Sequence, residues 1–427
     1  MLSNQILSAA FSDRVAGPIR VPVLLALVVL TAACSSTAAV RQAPTKTPVA
    51  ASASASPATS ASASAGEPVP LSLSAIQRLT PSVGFIAGSR GSGAVLAKTA
   101  DGGRSWIRLP VPLDYVTSLR FIDERVGWVA GVGNGQASPA NCQDPAPSQI
   151  PTCTGSILRT EDGGQSWVKT LAFRVNGGSG DSVRQIQAID GQRAWALTVN
   201  SANCQYPCSF DLQRTTDGGK SWTVLLSGQI AAIRFASSSR GWVALDESGG
   251  VGTVEVRETS DGGTTWRSGL RTASGQAIGL DAATTNRAWV LTRNGGYCTS
   301  SNCSNYALFR TDDGGLTWAD LSNPKDSACS GGHLAGPLFA SPGLGWLGLD
   351  LGAGGANVGP GGLLRSQDGG RSWVCANRPP NTSLLAAADP GHLWAAGQQD
   401  RTTQTYALYS SDNGGAGWRS LDLGQVP

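Results

Sequence analysis

An eight-residue phrase recurs along this chain and constrains its fold more than any other feature. It first reads Thr99-Ala100-Asp101-Gly102-Gly103-Arg104-Ser105-Trp106, and returns around Asp162, Asp217, Asp261, Asp313, Asp368 and, degenerately, Asn413. Successive copies stand 44 to 61 residues apart, room for one four-stranded unit each. The residue types state the conformation. Asp accepts hydrogen bonds from N–H groups two or more residues on, two glycines adopt the positive φ of a tight hairpin, and Trp offers a large ring to bury beneath the turn. A second aromatic signal keeps step: Trp128, Trp195, Trp242, Trp289, Trp346 and Trp394 each sit in an apolar run, with Phe85 in that place in the first unit. These six and the seven of the phrase account for all 13 Trp, so none is left for a separate role.

In the second unit, strands are expected near 116–122, 126–132, 156–160 and from Trp167 onward. Seven such meanders, from about residue 72 to 424, predict an all-β chain: a seven-bladed β-propeller of four-stranded antiparallel blades, closed so that only short protected edges remain. An open solenoid is the alternative, but it needs capping ends that the chain lacks. A calcium loop is the rival reading of the phrase. Each copy, however, has one regular carboxylate and neither the alternating acidic ligands nor the terminal Glu of such loops. Asp101, Asp162, Asp217, Asp261, Asp313, Asp368 and Asn413 are therefore read as structural, and neither metal nor cofactor is expected.

The amino terminus reads as an address. Arg14 and Arg20 precede thirteen uninterrupted apolar residues, 21–33, too short for a comfortable bilayer span and suited to a signal-peptide core. The run ends Leu30-Thr31-Ala32-Ala33-Cys34, which resembles the lipobox of bacterial lipoproteins, although Thr31 departs from the usual Leu, Val or Ile. The expectation is a lipoprotein signal peptide over 1–33 and lipid attachment at Cys34, giving an exported protein anchored to the bacterial cell membrane; an ordinary secretory signal is the alternative. Residues 34–70 are Ala, Ser, Thr and Pro with almost no large apolar side chains, a composition that cannot offset its ordering entropy. They form a disordered tether with a mean reach of about 30–35 Å, and 71–427 form the propeller. A net charge of +3 with no basic block argues against nucleic acid as a partner.

The phrase matches the Asp-box, or BNR repeat, of sialidases and related propellers. Its pairing with a Gly-Trp strand and an Arg-Thr step, as in Arg159-Thr160, resembles the photosystem II stability and assembly factor family. The resemblance covers about 350 residues and implies the propeller fold. It is compatible with a monomeric, non-catalytic binding or assembly module for a cell-envelope protein or glycan. Nothing in the chain implies a photosystem, so that family's partner is not transferred.

Apart from Cys34 there are eight cysteines, an even number that in an exported chain favours disulfides. Local pairs are expected for Cys142 with Cys153, Cys204 with Cys208 and Cys298 with Cys303. Cys329 and Cys375 remain, to link the entry of the sixth blade to its outer strand. The local pairs fall between second and third strands and Cys329 between blades; these connections emerge opposite the Asp-box turns. That face would carry 134–155, 200–207, 294–305 and 351–361, with Tyr206, Tyr297 and Tyr306 as candidate anchors; the bland alternative packs the tyrosines beneath the loops.

Catalysis has thinner support. A sialidase-like glycoside hydrolase is the natural rival, since sialidases share the turn. The Arg-Ile-Pro opening is missing, and Ile19-Arg20-Val21-Pro22 imitates it only within the signal peptide. Arg120, Arg184 and Arg234 fall on expected innermost strands and form a candidate anion site at the central channel. Asp114, Asp123, Asp181, Asp246 and Asp281 are carboxylates near inner strands, and a glycosidase requires two placed across a cleft. Lys98, Arg159, Arg214, Arg310 and Arg365 form a partial cationic ring beside the turns, expected to stack on neighbouring Trp or pair with acids.

Overall fold

The computed structural model describes residues 70–427 apart from 92, 134–152, 176–182, 201–208, 247–251, 274, 294–304, 327–328, 330–332, 351–361, 377–378, 380 and 401–404. Among the described residues, twenty-eight strands form seven four-stranded sheets, each made of four consecutive strands paired with their neighbours in the chain. Blade one comprises Leu71–Arg78, Gly84–Arg90, Gly93–Thr99 and Ile107–Arg108; blade seven comprises Leu384–Ala387, Leu393–Asp400, Thr405–Ser411 and Arg419–Leu421. Side chains of the first and last blades meet, so the array is a closed ring and not a solenoid.

The third turn shows why the phrase folds as it does. Gly218 and Gly219 have φ of 74° and 87°. The Thr215 hydroxyl donates to the Asp217 carboxylate at 2.8 Å and accepts from the Gly219 N–H at 2.8 Å. The carboxylate also accepts from the N–H and hydroxyl of Ser221, at 3.0 and 2.6 Å. Gly218 N–H then bonds the Gln192 carbonyl, in the loop joining the first two strands of the same blade. Equivalent bonds, such as Gly102 to Ser82 and Gly163 to Arg125, place both loop classes on one face. Antiparallel meanders put the 2–3 connections and those between blades on the other.

One expectation needs correcting. Among the tryptophans of the turns only Trp106 is buried; the others are half-buried. The deep anchors are the second-strand residues Trp128, Trp195, Trp242, Trp289, Trp346 and Trp394, all fully buried. Four of them reach into the next blade: Trp195, Trp242, Trp289 and Trp346 donate from Nε1 to the carbonyls of Gly262, Gly314, Gly369 and Gly414. The basic ring joins this seam work. Arg214 and Arg310 donate to Gly262 and Gly369, Arg159 lies over Trp128 at 5.5 Å, and Lys98 pairs with Glu124 at 2.9 Å.

Cys329 and Cys375 form a disulfide with a Cα–Cα distance of 5.5 Å, fastening the connection into blade six to that blade's outer strand, Val374–Ala376. Cys142, Cys204, Cys208, Cys298 and Cys303 lie outside the described residues. Cys153 begins the strand Cys153–Thr160, and its side chain lies outside what the structure describes.

Candidate binding site in the central channel

A cavity of about 830 Å³ lies where the innermost strands converge, lined from blades one, two, three, four, five and seven. One equivalent belt position per blade stands eight residues before the second-strand aromatic: Gln77, Arg120, Gln187, Arg234, Asp281, Leu338 and Ala386; the first four of these line the cavity. Three of these are clamps. Gln77 donates to the carbonyl of Phe121 and accepts from its N–H, both at 2.7 Å, which ties blade one to blade two. Gln187 accepts from Phe235 N–H at 2.8 Å and donates to the Ile233 carbonyl at 2.9 Å, tying blade three to four. Asp281 has only acceptors, so it takes the N–H of Phe339 at 2.5 Å and leaves its second oxygen to Arg234 at 2.9 Å. Burial pushes the Asp281 carboxyl up, while Arg234 and the Phe339 N–H oppose the shift.

Arg120 is the belt's unspent charge. Its Nε approaches the Ala188 carbonyl at 3.5 Å, and its Nη atoms have no hydrogen-bond acceptor among the described residues. The side chain is exposed to the channel. The protein packed around it, and then the charge of Arg234, push its guanidinium down to about 10, so it stays cationic at neutral pH.

The structure thus brings two of the three expected arginines together. Arg184 sits three residues earlier along its strand, Val183–Ala188, than the belt position; at about 3.3 Å per residue this is about 10 Å deeper toward the loop-bearing face. There its guanidinium stacks on Phe210 at 4.0 Å and donates to the Ile230 carbonyl at 3.2 Å. Asp246, at the same mouth, accepts from the Ala277 N–H at 2.7 Å; burial pushes its carboxyl up to about 6, opposed by that bond and by Arg184.

The other candidates have structural roles or lie out of sight. Tyr306 does not present its ring to solvent: it is 5% exposed, its hydroxyl accepts from the Leu334 N–H at 3.1 Å, and burial pushes its pKa up. For this residue the bland alternative holds, because its place as the first residue of Tyr306–Thr311 points it into the core. Tyr206, Tyr297 and Asp181 lie outside the described residues. Asp123 caps the loop between the first two strands of blade two, accepting from Arg125 and Val126 at 2.7 Å each. Asp114 precedes the first strand of that blade, its N–H bonded to Val132. Among the described residues no group of three or more His, Cys, Asp or Glu is placed to hold a metal.

The geometry defines a β-propeller whose turns are occupied in holding blades together and whose central cavity is cationic. No protein-family model matches the chain. The photosystem II assembly lipoprotein Ycf48 of Synechococcus sp. (strain CC9902) is 23% identical over 328 residues, covering 75% of this chain and 80% of its own. Ycf48 of Thermosynechococcus vestitus (strain NIES-2133 / IAM M-273 / BP-1) is 28% identical over 309 residues, 62% of this chain and 73% of its own. Among solved structures, YCF48 bound to D1 peptide aligns with a TM-score of 0.52 at 22% identity, covering 81% of this chain and 94% of that one. The GH74 enzyme of Niastella koreensis aligns with a TM-score of 0.52 at 13% identity, covering 83% and 66%. The chain is a propeller similar to the photosystem II assembly factors, as the recurring turn and Gly-Trp strand implied.

Proposed function

We propose that this protein is an exported, lipid-anchored binding or assembly module that holds a cell-envelope protein or glycan without transforming it. One observation carries the non-catalytic reading: the described lining of the cavity includes Arg78, Arg120, Arg184 and Arg234 and no Asp or Glu. Glycoside hydrolysis needs two carboxylates facing each other across the substrate, and Asp281, the acid nearest the belt arginines, is spent on Arg234 and Phe339. A cationic wall suits recognition of an acidic group, with Arg120 as the donor left to give.

The likeness to proteins named as assembly factors, one of them solved with a bound peptide, supports a protein partner. The anchor rests on residues 30–34 and the tether on 34–70. Diacylation of Cys34 would exceed the single-chain threshold below which membrane binding is weak. Fractionation of cells tests the anchor: wild type is expected in the membrane fraction and Cys34→Ala in the soluble one, and membrane retention of Cys34→Ala would reject lipidation. Incubation of concentrated protein with a panel of sialosides and other glycans is expected to release no sugar, and turnover would restore the hydrolase reading.

A further inference from the structure

The two mouths of the channel differ in chemistry. Two residues past the belt, each first strand gives way to the loop that leads to the second strand. The residue there bonds its N–H to a carbonyl four positions on, as Ile122 does to Val126 at 2.9 Å and Ile189 to Arg193 at 3.2 Å. These residues are apolar and half-buried: Leu79, Ile122 and Ile189 in blades one to three, and Ala236, Ala283 and Ala388 in blades four, five and seven. All six line the cavity, so they form a collar at its mouth on the Asp-box face. The three large side chains belong to consecutive blades and occupy one side of that mouth. Toward the other mouth the lining is polar, with Ser74, Thr117, Arg184 and Gln185.

Arg120 lies beneath the large side of the collar. It stands two residues before Ile122, about 7 Å deeper at about 3.3 Å per residue, and the Ala188 carbonyl that its Nε approaches belongs to the residue before Ile189. Its charge is the one left over. Arg78 pairs with Asp412 at 2.6 Å and Arg234 with Asp281 at 2.9 Å, while Arg184 draws the Asp246 carboxyl down against its burial. A surplus of one positive charge is matched by a monoanion. A phosphate monoester carries about −1.5 to −2 at neutral pH, which would leave unpaired negative charge in the cavity, and desolvated charge without a partner is costly. A carboxylate has one charge and two oxygens, which the two Nη atoms of Arg120 can take side by side.

Resting on the reading of the channel as a binding site, we propose that its ligand is a carboxylate on an apolar stem that enters from the Asp-box face: Leu79, Ile122 and Ile189 hold the stem, and Arg120 takes the carboxylate. The entrance is then opposite the face on which the cysteine-bearing connections were expected to bind. A fatty acid and the free C-terminus of a polypeptide with apolar last residues both offer this chemistry.

Isothermal titration calorimetry on the full-length protein tests the proposal. Octanoate is expected to bind at least tenfold more tightly than acetate, which lacks the stem, than octanamide, which lacks the charge, and than octyl phosphate, which carries too much of it. Arg120→Gln and Ile122→Ser are each expected to weaken octanoate at least tenfold. Octanoate no tighter than acetate or octanamide, or unaffected by Arg120→Gln, would overturn the proposal; if that variant does not fold, the wild-type series decides alone. A peptide ending in Leu-Leu that binds more tightly than octanoate and is released by amidation of its carboxyl would assign the ligand to a polypeptide end, and the reverse order to a fatty acid. Failure of octanoate alongside crosslinking of the cavity wall to a partner in cells would sink this inference and leave the binding reading standing, whereas loss of that crosslink would remove the reading itself.

Discussion

Thr215 is buried at 1% exposure and serves two partners at once, which makes it the sharpest probe of the recurring turn. Thr215→Ala removes the acceptor of the buried Gly219 N–H, and a buried donor left unsatisfied costs about 1–3 kcal/mol. Urea denaturation of the variant should show that loss; an unchanged midpoint would mean the hydroxyl is idle. The carboxylates of the turns set a pH dependence. Hydroxyl donation from Ser221 and Thr265, followed by their N–H groups, holds Asp217 and Asp261 down at about 2. A carboxyl held below its ordinary value contributes stability that is complete above that value and is lost as pH falls through the folded one. The thermal midpoint should therefore drop between about pH 4 and pH 2. Asp246, raised to about 6, has the opposite sign: its contribution is present below the ordinary carboxylate value and fades as pH rises through 6. A midpoint flat from pH 5 to 2 would contradict the assignment. This chemistry was legible in the sequence because every partner lies within four residues. The clamp role of Gln77 and Gln187 was not, although each stands eight residues before an aromatic, since their partners belong to the next blade.

At the level of strands, the residue after the belt position and the residue that opens the second strand vary together in blades two to six. Phe121, Phe235 and Phe339 pair across the hairpin with Gly127, Gly241 and Gly345, and Ala188 and Ala282 pair with Ala194 and Ala288. A Cβ on Gly241 would lie 2.3 Å from the Phe235 ring, so glycine is there for space and not for backbone freedom. Gly241→Ala should cost about 1–3 kcal/mol by overpacking. In a Phe235→Ala background the same change should cost almost nothing, because the ring it strikes is gone. A denaturation cycle over the four proteins measures the coupling, and additive effects would refute the pairing. The alternation was present in the sequence as Gly-Trp against Ala-Trp. Its meaning depends on which blades are neighbours, which strand patterns alone do not state. For the same reason the link between Cys329 and Cys375 was reachable only by elimination, while the burial of Tyr306 depended on a hydroxyl partner 28 residues away.

For the molecule as a whole, the repeat count and strand order followed from seven turns in register, since each blade is a consecutive meander. How the ring closes was hidden. Closure uses no shared strand but side chains of residues more than 300 positions apart, such as Arg78 to Ser411 and Arg90 to Val426. The depth of the channel was hidden as well, so the three arginines that looked equivalent along the chain occupy two levels. The account's central claim is that the protein works by binding at this channel. Site-specific photocrosslinking in intact cells tests it, with a benzophenone side chain at Thr117 in the cavity wall or at the exposed Ile107 on the outer rim. The account predicts an adduct from Thr117 that Arg120→Gln reduces at least tenfold, and none from Ile107. Adducts from Ile107 alone would contradict it.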